Sequence, residues 1–227
     1  MFRKLWLFAF ISTMLNGALL AQGKTEDMRI NQLFDFGWKF HYGDIKDAQQ
    51  YAFNDADWKA LDLPHDFQIN RPWDSTAGGA RGFKAMGVGW YRKTFKVNPE
   101  WKGKRIILDF EGIMLTGEVW VNGVKAGETD YGYLGFEADI TKLVKYDSDN
   151  VVAVRASTGE KGNSRWYTGG GLFRDVHLIV KNNIAVARHG VYITTPNISG
   201  QNAEVNIKVD LDGITNKNYN LEIDAAV

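Results

Sequence analysis

The 227-residue sequence contains no cysteine. That excludes a disulfide framework, a thiolate zinc site, a cysteine nucleophile and a thiol for lipid attachment, so stability has to come from an apolar core. A chain of this size can build one, because domains of 150 to 300 residues bury about 70% of the surface their unfolded chains expose. Net charge is missing too. The 27 basic residues balance 27 acidic ones, which leaves no basic field to neutralise a run of phosphates, and nucleic acid is not expected as a partner. Histidine is scarce: His41, His65, His177 and His189 are scattered, none pair at metal-ligand spacing, and neither a metal nor a cofactor is expected.

No apolar run reaches the roughly 20 residues of a membrane span. The nearest is at the start, where "MFRKLWLFAFISTMLNGALLAQ" sets Arg3 and Lys4 before an apolar stretch from Leu5 to Leu15 that gives way to Asn16 and Gly17. This is the pattern of a secretory signal peptide, residues 1–21, with cleavage expected after Ala21 although Leu19 is larger than the small residue usual there. The expected location is therefore exported, periplasmic or extracellular, with no membrane attachment after cleavage. Removing residues 1–21 leaves 25 basic against 27 acidic residues, a net charge of −2.

What the sequence has in quantity is aromatic and β-branched residues. With 44% hydrophobic and 24% charged residues it is an ordinary globular composition. Its 13% aromatics suit a large β core and also pockets that grip flat, weakly polar faces. "GWYRKTFKV", "RIILDFEG", "EVWVNG", "NVVAVRAS" and "VHLIV" read as short strands spaced as in an all-β sandwich. In "EVWVNGVKAG" the Asn122-Gly123 pair predicts a two-residue hairpin turn, with Val119 and Val121 on one face and Trp120 on the other. No long helical period occurs, although "FNDADWKALDLP" predicts one helical turn opened by Asn54 or Asp55 and stopped by Pro64.

A second unit is expected from about Ile184. In "AEVNIKV" the residues Val205, Ile207 and Val209 alternate with polar ones, predicting a half-buried strand, and "YNLEIDAAV" alternates in the same way. Residues 184–227 would hold about three strands, whereas an immunoglobulin-like sandwich takes about seven. The chain therefore reads as the amino-terminal piece of something longer.

Chemistry concentrates in "SRWYTGGGLFRDV", Ser164 to Val176. A phosphate loop would need Lys and Ser or Thr after the glycines, and a dinucleotide fingerprint a helix; Leu172, Phe173 and Arg174 leading to a strand are neither. Gly169 to Gly171 by themselves predict only backbone angles that side chains forbid. Arg165, Trp166 and Tyr167, however, are types that grip a sugar, Arg with forked donors and the rings with faces that cover a pyranose; plain core packing of Trp166 is the alternative. In "LDLPHDF", Pro64 presents His65 and Asp66 on a loop, and Asp66 either accepts a sugar hydroxyl or is a satisfied turn carboxylate. Retaining glycoside hydrolysis needs two carboxyl groups about 5 Å apart, and no such pair is marked out among Asp109, Glu111, Glu118, Glu128, Asp130, Glu137, Asp139 and Asp175. Asp175 is expected to pair with Arg174.

Taken in order, "LDLPHDF", "GVGWYRKTF", "FEGIMLTGEVWVNGVKAG", "YGYLGFEADIT", "NVVAVRAS" and "SRWYTGGGLFRDV" resemble the amino-terminal sugar-binding domain of glycoside hydrolase family 2, the β-galactosidase and β-glucuronidase family. The resemblance covers about residues 28–182, and Ile184 onward resembles the start of that family's immunoglobulin-like second domain. It implies a jelly-roll sandwich over residues 22–183 whose loops border the innermost sugar subsite of a TIM barrel. That barrel carries the family's two catalytic glutamates and is not in this sequence. By motif position the resemblance implies substrate-binding roles for His65, Asp66, Arg165 and Trp166, and no catalytic residue within the chain. Ser164 stands where some family β-galactosidases have an Asp that contacts galactose and sodium, and Phe67 replaces the more usual Trp after Pro-His-Asp. The expected function is the sugar-contacting part of an exported hydrolase acting on terminal β-linked sugars, β-galactosides foremost, binding or scaffolding rather than cleaving by itself. Its partners would be a carbohydrate and further domains of the same polypeptide, with a homo-oligomer left open. A stand-alone carbohydrate-binding module and a structural sandwich without a sugar site are the rival readings.

Overall fold

The computed structural model describes residues 29–159 and 166–215. In chain order its strands are β1 (Ile30–Leu33), β2 (Trp38–Tyr42), β3 (Lys59–Leu61), β4 (Val88–Phe95), β5 (Arg105–Phe110) and β6 (Thr116–Val121). There follow β7 (Val124–Thr129), β8 (Phe136–Asp139), β9 (Asn150–Ser157), β10 (Val176–Lys181), β11 (Ala185–Ile198) and β12 (Ala203–Asp212). The longest helical piece among the described residues is a single 3₁₀ turn. A four-stranded sheet runs β1-β10-β5-β8, a six-stranded sheet runs β3-β2-β4-β9-β6-β7, and β11 and β12 form a separate hairpin. Every pairing is antiparallel.

One apolar layer joins the two large sheets into a sandwich. Ile106, Leu108, Phe110 and Leu178 from the four-stranded sheet meet Trp38, Tyr91, Val119, Val121, Val152 and Val154 from the six-stranded one. Each fully buried Val or Leu there is worth about 1.5–3 kcal/mol against exposure. The period of two behind this is clearest in β6, where Val119 and Val121 are buried and Glu118 and Trp120 face outward. Asn122 and Gly123 turn the chain into β7 with φ of 53° and 84°, the left-handed pair expected from that dipeptide.

The outer face of the six-stranded sheet is covered as well, which explains why β9 is buried along nearly its whole length. The segment from Gly43 to Trp58 folds back over it, packing Ala48 and Trp58 on Trp90 and Ala153, with Trp90 stacked on Trp120 at 5.4 Å. Arg92 holds this flap in place. Its guanidinium is buried, donates from Nε to Asp55 Oδ2 at 2.8 Å, and from Nη1 and Nη2 to the carbonyls of Ala48, Gln50, Tyr51 and Phe53. Burial alone would raise the Asp55 carboxyl, but the bonds from Lys39 and Arg92 outweigh it and hold its pKa below the usual 3.8.

The helical turn expected in "FNDADWKALDLP" is reduced to one hydrogen-bonded turn, in which the Trp58 N–H donates to Asp55 O at 3.1 Å, and no helix follows it. Asn54 Oδ1 accepts the N–H of Ala56 at its start, Asp55 is committed to Lys39 and Arg92, and Lys59–Leu61 pairs with β2 as an edge strand. Tertiary partners outside the segment stop the turn from extending into a helix.

The β11–β12 hairpin is tied to the sandwich by charge. Asp212 pairs with Arg105 at 3.2 Å and with the buried Lys181 at 3.0 Å, and Arg188 pairs with Asp109 at 3.0 Å. β12 has the alternation expected of it, and Val209 is half-buried, but Val205 and Ile207 are 43% and 45% exposed, so the expected half-burial is met at only one of the three. "YNLEIDAAV" and residues 1–21 lie outside the described residues.

Candidate functional site

Two loops distant in sequence are zipped together at one end of the sandwich. The His65 N–H donates to Leu172 O at 2.7 Å and the Phe67 N–H to Gly170 O at 2.9 Å, while Gly171 and Met114 exchange both backbone bonds at 2.9 Å. The run of glycines is what lets the loops approach. Gly169 and Gly171 have φ of 74° and 108°, and a Cβ on Gly169 would lie 2.7 Å from Asp66 Oδ2. The bland reading of these glycines is thus correct for the backbone, and their consequence is to bring Tyr167 beside the Pro64-His65-Asp66 loop.

Asp66 is the junction. Its Oδ1 accepts the N–H groups of Gln68 and Gly170, both at 2.9 Å, and its Oδ2 accepts the hydroxyl of Tyr167 at 2.6 Å. An ionised carboxylate has about four acceptor sites, so among the described residues three are taken and one on Oδ2 has no partner. Asp66 is thus the satisfied turn carboxylate of the second sequence reading, with acceptor capacity to spare. Burial, with the charge and hydrogen bond of Asp66, raises the Tyr167 phenol above its usual 10, keeping it a protonated donor whose oxygen lone pairs remain available.

His65 is turned inward. Its Nδ1 lies 2.9 Å from the hydroxyl of the fully buried Tyr91, and its ring packs on Phe40 at 4.7 Å. Burial first, then the nearby Lys59, pushes its pKa below 6.5, so it is neutral at pH 7 and supports the loop through Tyr91. Because the folded value is depressed, the stabilisation from neutral His65 is complete above about pH 6.5 and is lost as pH falls through the folded value. In a proton NMR titration its ring resonances are expected to move below pH 6.5, and His65→Gln to flatten that part of the acid stability curve; a His65 midpoint above 6.5 contradicts this.

Trp166 is not core. It is 56% exposed, and its indole N–H donates to the Tyr133 hydroxyl at 3.3 Å. Tyr133 meets Tyr131 and Phe173 edge to face at 5.8 and 6.4 Å, so Trp166 joins a cluster of aromatic rings built on the segment between β7 and β8. Arg165 and Ser164 lie outside the described residues. Sequence reasoning did not assign Tyr91, Tyr133 or Gln68 to the site; the quoted "YGYLGFEADIT" was the one signal for Tyr133. Among the described residues no ion pair joins Arg174 to Asp175. Arg174 instead lies over the Phe173 ring at 5.2 Å, and Asp175 faces Glu111 and His177.

Residues 38–182 match the model described as "Glycosyl hydrolases family 2, sugar binding domain". The chain is 40% identical over 192 residues to the β-galactosidase BoGH2A of Bacteroides ovatus, covering 84% of this chain and 23% of that one. It is 38% identical over 168 residues to a β-glucuronidase of Bacteroides fragilis, covering 69% and 23%. Among solved structures, a β-glycosidase from Bacteroides vulgatus superposes with a TM-score of 0.77 at 33% identity, covering 83% of this chain and 25% of that one. A glycosyl hydrolase family 2 member from Bacteroides cellulosilyticus gives 0.74 at 37% identity, covering 81% and 24%. The chain thus spans about a quarter of the length of each of these relatives.

Proposed function

Since the chain belongs to glycoside hydrolase family 2 and carries its sugar-binding domain, we propose that it positions a terminal β-galactosyl unit for an exported β-galactosidase. The junction at Asp66 carries this reading. One acceptor site remains on its Oδ2, the Tyr167 hydroxyl adjoins it, and Trp166, exposed, is the residue before Tyr167 in the chain. These are the groups that fix the hydroxyls and the C–H face of a pyranose. Arg165, next to Trp166 in sequence, would add forked donors. Their contribution to the chemical step is orientation rather than proton transfer, the proton and nucleophile steps belonging to residues outside this chain. The β-galactosidase BoGH2A supports galactosides, and the signal-like residues 1–21 support export to the periplasm or beyond.

Asp66→Ala in the longer protein that includes this chain tests the reading, assayed on p-nitrophenyl β-galactoside with the β-glucuronide beside it. Loss of one charge-assisted bond to the sugar is worth about 1.5–3 kcal/mol, which is roughly a 10- to 100-fold drop in kcat/KM. Tyr167→Phe should cost less, because only its donation to Asp66 is lost. Full activity of Asp66→Ala on galactoside removes the site, and a preference for the glucuronide removes the galactoside. Amino-terminal sequencing of secreted protein should begin at Gln22; retention of Met1 contradicts export by this leader.

A further inference from the structure

The four histidines are scattered in sequence, but folding brings one of them to two carboxylates. Ligand atoms of Glu111, Asp175 and His177 all lie within 4.8 Å of one another, and each residue is partly buried. We propose that these three side chains bind one divalent transition-metal ion, zinc by donor preference, at a site separate from the Asp66 junction.

The backbone holds the three in place without a ligand. Glu111 follows directly on β5 and His177 lies in β10, two strands paired in register with Val176 opposite Phe110. The Glu111 N–H donates to Asp175 O at 3.1 Å, so two of the three residues are joined through their main chains. Val176, between the other two, is fixed on both sides: its N–H donates to the buried Asp35 Oδ1 at 2.8 Å and its carbonyl accepts from Phe34 N at 2.7 Å. Asp175 immediately precedes β10 and Glu111 immediately follows β5, and the ligand atoms of both lie with that of His177 within 4.8 Å of one another. Asp109 is already engaged by Arg188, which leaves Glu111 and Asp175 as the like-charged pair beside the imidazole.

Geometry and charge both fit a metal. His177 Nε2 and Glu111 Oε1 stand 3.3 Å apart, longer than a good hydrogen bond. That separation is about the 3.3–3.4 Å edge of a tetrahedron whose metal bonds are about 2.0–2.1 Å. Two carboxylates match a divalent cation in charge, and an imidazole nitrogen among them selects zinc, cobalt or nickel over calcium or magnesium, which take oxygen. Three protein ligands leave a position for water. The ion would clamp the exit of β5 to the entry of β10, and both segments continue straight into the paired Met114 and Gly171 under the candidate sugar loop.

Zinc binding to the untagged, chelator-stripped chain tests this by calorimetry and by metal content after gel filtration. The expected result is one zinc per chain at micromolar affinity, undisturbed by millimolar magnesium or calcium. Thermal unfolding should rise by about 5–10 °C when zinc is in 100-fold excess over Kd. Glu111→Gln and His177→Gln are each expected to weaken binding at least tenfold. Absence of saturable binding overturns the proposal, as does binding unchanged in both variants or competed away by calcium. If a variant does not fold, proton NMR of the natural chain decides: zinc should shift the ring of His177 and leave those of His41, His65 and His189 in place, and the reverse pattern overturns it.

Discussion

Arg92→Met is expected to destabilise the protein by about 3–5 kcal/mol, the usual cost of removing one partner from a buried ion pair. Methionine fills a similar volume but supplies none of the guanidinium's five donors. The carbonyls of Ala48, Gln50, Tyr51 and Phe53 would lose their shared donor, and Asp55 would keep Lys39 alone. Those carbonyls belong to the flap that shields Trp90 and Ala153, so water would reach the outer face of the six-stranded sheet. Thermal unfolding followed by circular dichroism should show a loss of roughly 6–20 °C, given about 2–4 °C per kcal/mol for a domain of this size. Arg92→Lys should recover little, because a compact ammonium cannot span five acceptors laid out for a planar fork. A change of less than about 1 kcal/mol would falsify the assignment of Arg92 as the anchor of the flap.

Gly171→Ala is the second large effect. The added methyl would land on the Tyr91 hydroxyl and lie 3.0 Å from His65 O, and the backbone there has φ of 108°. Backbone strain at such an angle costs about 1–3 kcal/mol, and forcing a methyl into a packed site typically costs a further 1–3 kcal/mol. Tyr91 cannot yield easily, being fully buried and placed at 2.9 Å from His65 Nδ1. Urea denaturation should report a total loss of about 3 kcal/mol or more, with the His65 ring resonance displaced. Gly103→Ala makes the comparison, because Gly103 also has a positive φ, 87°, but nothing within 4 Å of the added carbon; it should lose only about 1 kcal/mol. Equal losses in the two variants would mean that close approach to Tyr91 does not matter.

Much of the sandwich was legible because its information is local. "NVVAVRAS" is β9 residue for residue, the alternation of Val119, Trp120 and Val121 sets the inner and outer faces of β6, and Asn122-Gly123 encodes its own turn. The turn in "FNDADWKALDLP" shows where local reading stops: it closes a single hydrogen bond and goes no further, since Asp55 answers to Arg92, which lies 37 residues away. The candidate site divides in the same way. Residue type marked Asp66 and Trp166, but not that Asp66 would accept the hydroxyl of Tyr167 from 101 residues away, nor that Trp166 would be exposed on Tyr133 rather than packed inside. His177 reads as a lone histidine in sequence and stands beside Glu111 only because β5 and β10 are neighbours.

By itself, then, the sequence determined what period, turn chemistry and motif order carry: an all-β chain, its strands and hairpin, the absence of thiol chemistry and the family of the sugar-binding domain. Tertiary structure alone decided that the Gly43–Trp58 segment covers the sheet, that Arg92 is buried, that one acceptor site of Asp66 remains available, and that Glu111, Asp175 and His177 meet. The reason is physical. Strand and turn preferences act over a few residues of backbone, whereas burial, carboxylate saturation and ligand geometry depend on groups brought together only when the two sheets close on each other.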